Sequence, residues 1–157
     1  LSLADVKPPQ GRGARLSWGD GDDRITLIDE SYNANPTSMR AAFALLSSTE
    51  VGLNGRRIAL LGDMLELGQE AETFHAGLAS SIEEQGIDLV YACGPLMRAL
   101  FEALPRGRKG AWFSTSQELA SFIVEQIRRG DALMVKGSNG SRMRLVVEEI
   151  KTCLDKE

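Results

Sequence analysis

The stretch Asp29-Glu30-Ser31-Tyr32-Asn33-Ala34-Asn35-Pro36 packs two carboxylates, two amides, a hydroxyl and a phenol into eight residues. It follows an apolar run and opens a helical pattern at Pro36. Helix N-terminal N–H groups there could face an anion. Equally, Asn35 or Thr37 could do no more than cap the helix. Three other segments follow apolar runs in the same way. In Leu61-Gly62-Asp63-Met64-Leu65-Glu66-Leu67-Gly68 the aspartate could meet ribose hydroxyls or position a metal, or its acids could only solvate a loop. Cys93-Gly94-Pro95 reads as a strand-to-helix turn, with Gly94 allowing close backbone approach. Lys136-Gly137-Ser138-Asn139-Gly140-Ser141-Arg142 combines two cations with small residues that free backbone N–H groups. That suits a nest for phosphate or carboxylate, or a flexible loop with Ser141 as a cap. The pattern G-x-x-x-x-G-K-[ST] is absent, and no G-x-G-x-x-G follows a strand. His75 is the only histidine. Without partners for a zinc set or a nucleophile elbow, it reads as structural or surface, beside a core-facing Phe74.

These loops need elements to hold them. Residues 24–29, 57–62, 88–93, 111–114 and 132–135 are strand-like and apolar throughout, the mark of burial on both faces. Helical spacing runs from Pro36 to about Ser48. It recurs at Ala71, Phe74, Leu78 and Ile82 before Gly86, and from Pro95 to Leu104. It appears again after a Ser116 cap, with Leu119, Phe122, Ile123 and Ile127, and from Ser141 to about Leu154. Repeated βα units with right-handed crossovers predict an α/β fold of Rossmann-like, three-layer type: an open, mostly parallel sheet with helices on both faces. Residues 14–18, the turn residues Gly19-Asp20-Gly21-Asp22 and the Ile25 strand predict an N-terminal β-hairpin. Residues 1–11, with Pro8-Pro9, read as a linker or domain junction ahead of one domain over 12–157. In such sheets ligands sit beyond the carboxyl ends of the strands, where all four loops fall.

Composition narrows the function. The chain has 157 residues, 43% hydrophobic and 25% charged, with net charge −4. This is an ordinary globular balance with no basic footprint for nucleic acid or a membrane surface. No apolar run approaches the roughly 20 residues of a membrane span, and no signal peptide opens the chain. Cys93 and Cys153 read as reduced thiols of a cytoplasmic protein, and Trp18 and Trp112 as packing residues. Leu1 in place of an initiator methionine suggests a segment of something longer.

Three motifs in order then carry a resemblance. The run from Leu27 through Ser31-Tyr32-Asn33-Ala34-Asn35-Pro36 to Ala42 resembles the start of the C-terminal domain of Mur ligases. Within that family it is most similar to the MurF branch, whose members add D-Ala-D-Ala to UDP-N-acetylmuramoyl-tripeptide in peptidoglycan synthesis. The likeness continues through Leu61–Gly68, His75 and Val135-Lys136-Gly137-Ser138, and Gly11-Arg12-Gly13 is similar to a Gly-Arg element early in that domain. The resemblance implies that ATP phosphorylates the tripeptide carboxylate, that the dipeptide amine attacks the acyl phosphate, and that a tetrahedral intermediate collapses to an amide. It implies three domains, the central one carrying the P-loop, the Mg2+ ligands and a modified lysine, and the C-terminal one closing over ATP and the dipeptide. By this resemblance Arg12, Asp29, Tyr32, Asn33 and Asn35 line the nucleotide side. Asp63 and the Lys136-Gly137-Ser138 turn fall toward the dipeptide, whose terminal carboxylate suits Lys136. Glu30 stands where the family commonly has Asp.

Without a P-loop or a UDP-binding domain, these residues are expected to fold yet be inactive alone, binding neither ATP nor Mg2+ tightly and holding no catalytic or metal-ligating residue. The Ser31–Pro36 sequence argues against the diaminopimelate- or lysine-adding relatives, which resemble Tyr-Ala-His-x-Pro there. A stand-alone nucleotide-binding module predicts ATP affinity without partner domains. A pure scaffold predicts polar loops insensitive to ligand.

Overall fold

In a computed structural model, residues 13–156 are described; the 1–11 junction and Arg12 lie outside the described residues. Six strands form one sheet: β1 (Ala14–Trp18), β2 (Ile25–Glu30), β3 (Arg57–Leu61), β4 (Leu89–Cys93), β5 (Lys109–Phe113) and β6 (Ala132–Lys136). Their spatial order is β1-β2-β6-β3-β4-β5. β1 pairs antiparallel with β2, Ala14 opposite Asp29 and Trp18 opposite Ile25, and the remaining pairings are parallel. The expected hairpin and mostly parallel sheet are therefore present.

Alternate residues of the buried strands feed two cores. Ile28, Ala59, Leu61, Val90, Ala92 and Met134 pack under α1 (Pro36–Ser48), α2 (Ala71–Ala76), α3 (Ala79–Glu84) and α4 (Met97–Ala103). Leu27, Ile58, Leu60, Tyr91, Leu133 and Val135 pack under α5 (Ser116–Ile123) and α6 (Arg144–Asp155). Each buried Leu or Ile contributes about 1.5–3 kcal/mol of transfer free energy, so both faces hold the sheet. Helices return on the first face as the chain moves from β2 outward to β5. The path through α5 to β6 then runs back on the second face. The chain thus re-enters between β2 and β3, and β6 becomes the strand at which the winding reverses. Its carboxyl end lies between those of β2 and β3, the switch-point position where doubly wound sheets bind ligands.

Several local expectations are corrected. The second helix breaks into α2 and α3, and its buried face holds Ala71, His75, Leu78, Ala79 and Ile82 while Phe74 is exposed. The 71, 75, 78, 82 spacing follows the helical period as well as the Phe74 set does, and His75 finds polar partners inside. α5 is capped by Thr115, whose hydroxyl accepts from Glu118 N, rather than by Ser116. The last helix begins at Arg144, because a 3-10 turn over Asn139–Ser141 and a left-handed Arg142 precede it. The third loop's helix starts at Met97, two residues beyond Pro95. Trp18 donates from its indole to Asp155 Oδ1 at 2.7 Å, tying the hairpin to the end of α6. The two cysteines are unpaired.

Candidate functional site

The turn after β2 is built by its own polar atoms. Asp29 is 2% exposed. One carboxylate oxygen accepts from Ser31 N at 3.0 Å and Ser31 Oγ at 2.6 Å, and the other pairs with the Arg144 guanidinium of α6. Asn35 caps α1, its Oδ1 accepting from Ser38 N at 2.8 Å while Ser38 Oγ accepts from Asn35 N at 3.0 Å. Capping is observed, and it engages most of the helix's first-turn donors. Pro36 has no N–H, and Ser38 N and Met39 N both donate to Asn35. Tyr32, 44% exposed, and Asn33 project at the edge.

The β3 loop turns inward as well. Asp63 Oδ1 accepts from Met97 N at 2.7 Å and Oδ2 from Leu96 N at 3.2 Å, so this carboxylate closes the start of α4. Burial pushes its pKa up, opposed by the two backbone donors and by the nearby His75. Gly94 lies so close that a Cβ there would sit 2.4 Å from Asp63 Oδ1, with φ at +102°. His75 is fully buried. Its Nε2 accepts from Met64 N at 3.0 Å, so Nδ1 carries the proton and donates to Ala71 O at 2.6 Å. This histidine is a pin for the loop that follows Asp63.

The β6 loop ties the other two together. Lys136 is 3% exposed, and its ammonium donates to Asn33 O at 2.9 Å with Glu30 Oε2 at 3.8 Å. Burial lowers its pKa and Glu30 raises it back in part. Ser138 Oγ accepts from Leu65 N at 2.8 Å and donates to Ala34 O at 3.4 Å, and Ser138 N donates to Asp63 O at 3.0 Å. Gly62 and Gly137 leave room for Met143, since a Cβ on either would lie 2.6 Å from its Cγ. Arg142 is exposed with φ +59°, and Glu66 across the edge has φ +63°.

A cavity of about 270 Å3 opens among Asp63, Gly94, Thr115, Ser141 and Arg142. A larger groove of about 530 Å3, lined by Arg15, Thr26 and Thr49 among others, lies at the opposite, amino-end edge. The switch-point position and the converging loops make the carboxyl edge the candidate site. Of the expected residues, Asp29, Tyr32, Asn33, Asn35, Asp63, Lys136 and Ser138 all lie along this edge. The sequence reading missed Arg144. Its i,i+4 partner Glu148 was legible, but its pairing with Asp29 across 115 positions was not.

Residues 14–139 match the family model described as Mur ligase, glutamate ligase domain. The chain belongs to the Mur ligase family. This Mur ligase domain is 34% identical over 141 residues to the UDP-N-acetylmuramoyl-tripeptide–D-alanyl-D-alanine ligase of Bacillus subtilis, covering 88% of this chain and 30% of that one. It is 32% identical over 150 residues to the Escherichia coli enzyme of that name, covering 95% and 31%. MurF from Acinetobacter baumannii superposes with a TM-score of 0.79 at 26% identity, over 96% of this chain and 32% of that one. MurF ligase from Thermotoga maritima, solved in complex with ADP, gives 0.75 at 22% identity over 98% and 33%, a likeness of fold. The domain thus spans about a third of the length of these relatives. The family match spans all three motif loops. The family match ends at Asn139, before Arg142 and Arg144.

Proposed function

We propose that this domain is the C-terminal half of a nucleotide and dipeptide cleft in an ATP-dependent amide-bond ligase. That ligase adds D-Ala-D-Ala to UDP-N-acetylmuramoyl-tripeptide in cytoplasmic peptidoglycan synthesis. The observation that carries the reading is the meeting of the 31–36, 62–68 and 136–138 loops around the switch strand β6. Three loops from strands wound in opposite senses make one rigid lip, the shape needed to close over a ligand held by another domain.

On this reading Tyr32, Asn33 and Asn35 meet the nucleotide, with Asp29 fixing their turn through Ser31; Arg12, outside the described residues, is a further nucleotide contact by family resemblance alone. Asp63, Lys136 and Ser138 frame the dipeptide side, and Arg142 stands at the cavity mouth as a cation suited to a carboxylate. Within this domain the work is positioning and exclusion of water from an acyl phosphate, which hydrolysis would otherwise consume. Among the described residues no three His, Cys, Asp or Glu side chains converge as a metal site needs. By family resemblance, Mg2+ and the phosphates belong with the central domain of such ligases. No helix among the described residues is long and apolar enough to cross a membrane.

The test compares this 157-residue chain with a full-length ligase that contains it. Phosphate release is measured with ATP, D-Ala-D-Ala and UDP-N-acetylmuramoyl-tripeptide. The full-length protein is expected to turn over only with all three, and the domain alone to be inert and to give no calorimetric signal with ATP. Robust turnover, or tight ATP binding, by the isolated domain would favour the stand-alone nucleotide module instead.

A further inference from the structure

Lys136 belongs by chain position to the dipeptide side, yet its ammonium is directed to the other side of the cleft. Glu30 and Lys136 are register partners on the parallel β2 and β6, so both side chains leave the same face of the sheet. That face is the one covered by α1 and the turn leading into it. The turn folds over Lys136 and leaves it 3% exposed. Its ammonium lies 2.9 Å from the carbonyl of Asn33, with Glu30 Oε2 at 3.8 Å as its counter-charge. Two residues on, Ser138 Oγ reaches Ala34 O at 3.4 Å and Leu65 N at 2.8 Å. Consecutive carbonyls of the 31–36 turn are thereby held from β6, and the same strand end holds the β3 loop.

We infer that Lys136 is a positioning residue for the nucleotide-side turn, acting through the Asn33 carbonyl, and not a ligand of the dipeptide carboxylate. This rests on the proposed function, and it deepens it. The clasp from Lys136 orders the nucleotide-side turn, while Ser138 separately holds the β3 loop. A buried ammonium with a carbonyl and a carboxylate already beside it would have to break both contacts and become exposed to reach a second anion.

The experiment uses the full-length ligase. In Lys136→Met, which keeps the stem and removes the charge, the KM for ATP is expected to rise about tenfold, the effect of losing one charge-assisted hydrogen bond. The KM for D-Ala-D-Ala should stay within about twofold. A rise in the dipeptide KM with the ATP KM unchanged, or no change in either, overturns the inference. Wild-type enzyme without dipeptide-dependent turnover would instead sink the functional reading, so the two failures are distinct. A measurement on the unmodified protein needs no variant to fold: amine acylation followed by peptide mass spectrometry, without ligands. Lys136 should label at least tenfold more slowly than the exposed Lys156, with no further protection by D-Ala-D-Ala. Labelling as fast as Lys156, suppressed by the dipeptide, overturns the assignment.

Discussion

Asn35 has one observed job, capping α1, and one proposed job, meeting the nucleotide, and two substitutions tell them apart. Its Oδ1 caps α1 by accepting from Ser38 N at 2.8 Å. The reciprocal half of the capping box, Ser38 Oγ with Asn35 N and O at 3.0 and 3.1 Å, uses no Asn35 side-chain atom. Asn35→Ala therefore removes one cap bond and leaves the rest, a loss of about 1 kcal/mol. For a domain of this size that lowers the melting temperature by about 2–4 °C. Asn35→Asp keeps the acceptor and adds a negative charge at the helix start, about 0.3–1 kcal/mol favourable. Its melting temperature should equal or slightly exceed that of the wild type. On the proposed reading, the Asn35 amide nitrogen is the atom that meets the nucleotide. Asp lacks that donor and would repel phosphate. Both variants of the full-length ligase should raise the KM for ATP about tenfold or more, the scale of one hydrogen bond to a charged group. Thermal unfolding of the domain and initial-rate kinetics of the ligase read the two effects independently. If Asn35→Asp restores the wild-type KM while Asn35→Ala does not, the residue acts by capping alone. If Asn35→Ala melts with the wild type, the capping argument fails.

Three further outcomes follow from buried contacts. His75→Phe keeps a ring but orphans the Met64 N–H. A loss of about 2 kcal/mol, or roughly 4–8 °C, is expected by calorimetry, and an unchanged melting point would show that the pin is not needed. Gly137→Ala puts a Cβ 2.6 Å from Met143 Cγ and Ser141 Oγ. It should cost about 1–3 kcal/mol of stability by overpacking, read by urea unfolding. Asp63 is held above its ordinary value of 3.8 by burial. The folded state therefore binds its proton more tightly, and this group's contribution to stability falls as pH rises from about 3.8 through the folded value. Asp63→Asn should remove that decline, so its stability relative to wild type should grow with pH across this window. Parallel melting curves from pH 3 to 7 would contradict it.

The parallel sheet was legible because β3 and β6 are apolar on both faces. The hairpin was legible because Gly19 and Gly21 supply the positive φ its turn needs. Helix edges were less so. Ser116 and Thr115 are both chemically able caps, and only the Glu118 carboxylate reaching back to Thr115 N decides between them. At 71–82 two periodic sets competed. The set with the larger hydrophobe was the natural choice, but a buried histidine with a donor at Met64 and an acceptor at Ala71 is stable inside, and Phe74 is left exposed. The site's loops could be found from their positions after strands, whereas the direction of their side chains could not. Nothing local says that Asp63 closes the start of α4, or that Asp29 meets Arg144. Those contacts depend on which strands become neighbours.

That directional information changes what the motif residues are for. Asp29, Asp63, Lys136 and Ser138 are all buried, and each is bonded to backbone or to another charge of the same domain. Charges placed this way are costly unless their partners are in place, and removing one partner leaves the other stranded. These motif residues thus fix loop geometry, whatever they contribute to the ligand sides. On the proposed reading, contact with a ligand falls to what these loops expose: the Tyr32 ring, the Asn33 and Asn35 amides and Arg142. A lip that stiff costs little further order when it closes on a ligand, because its loops are already immobilised. On the same reading, substitutions beneath the lip are expected to change ligand affinity even where no ligand atom is within reach.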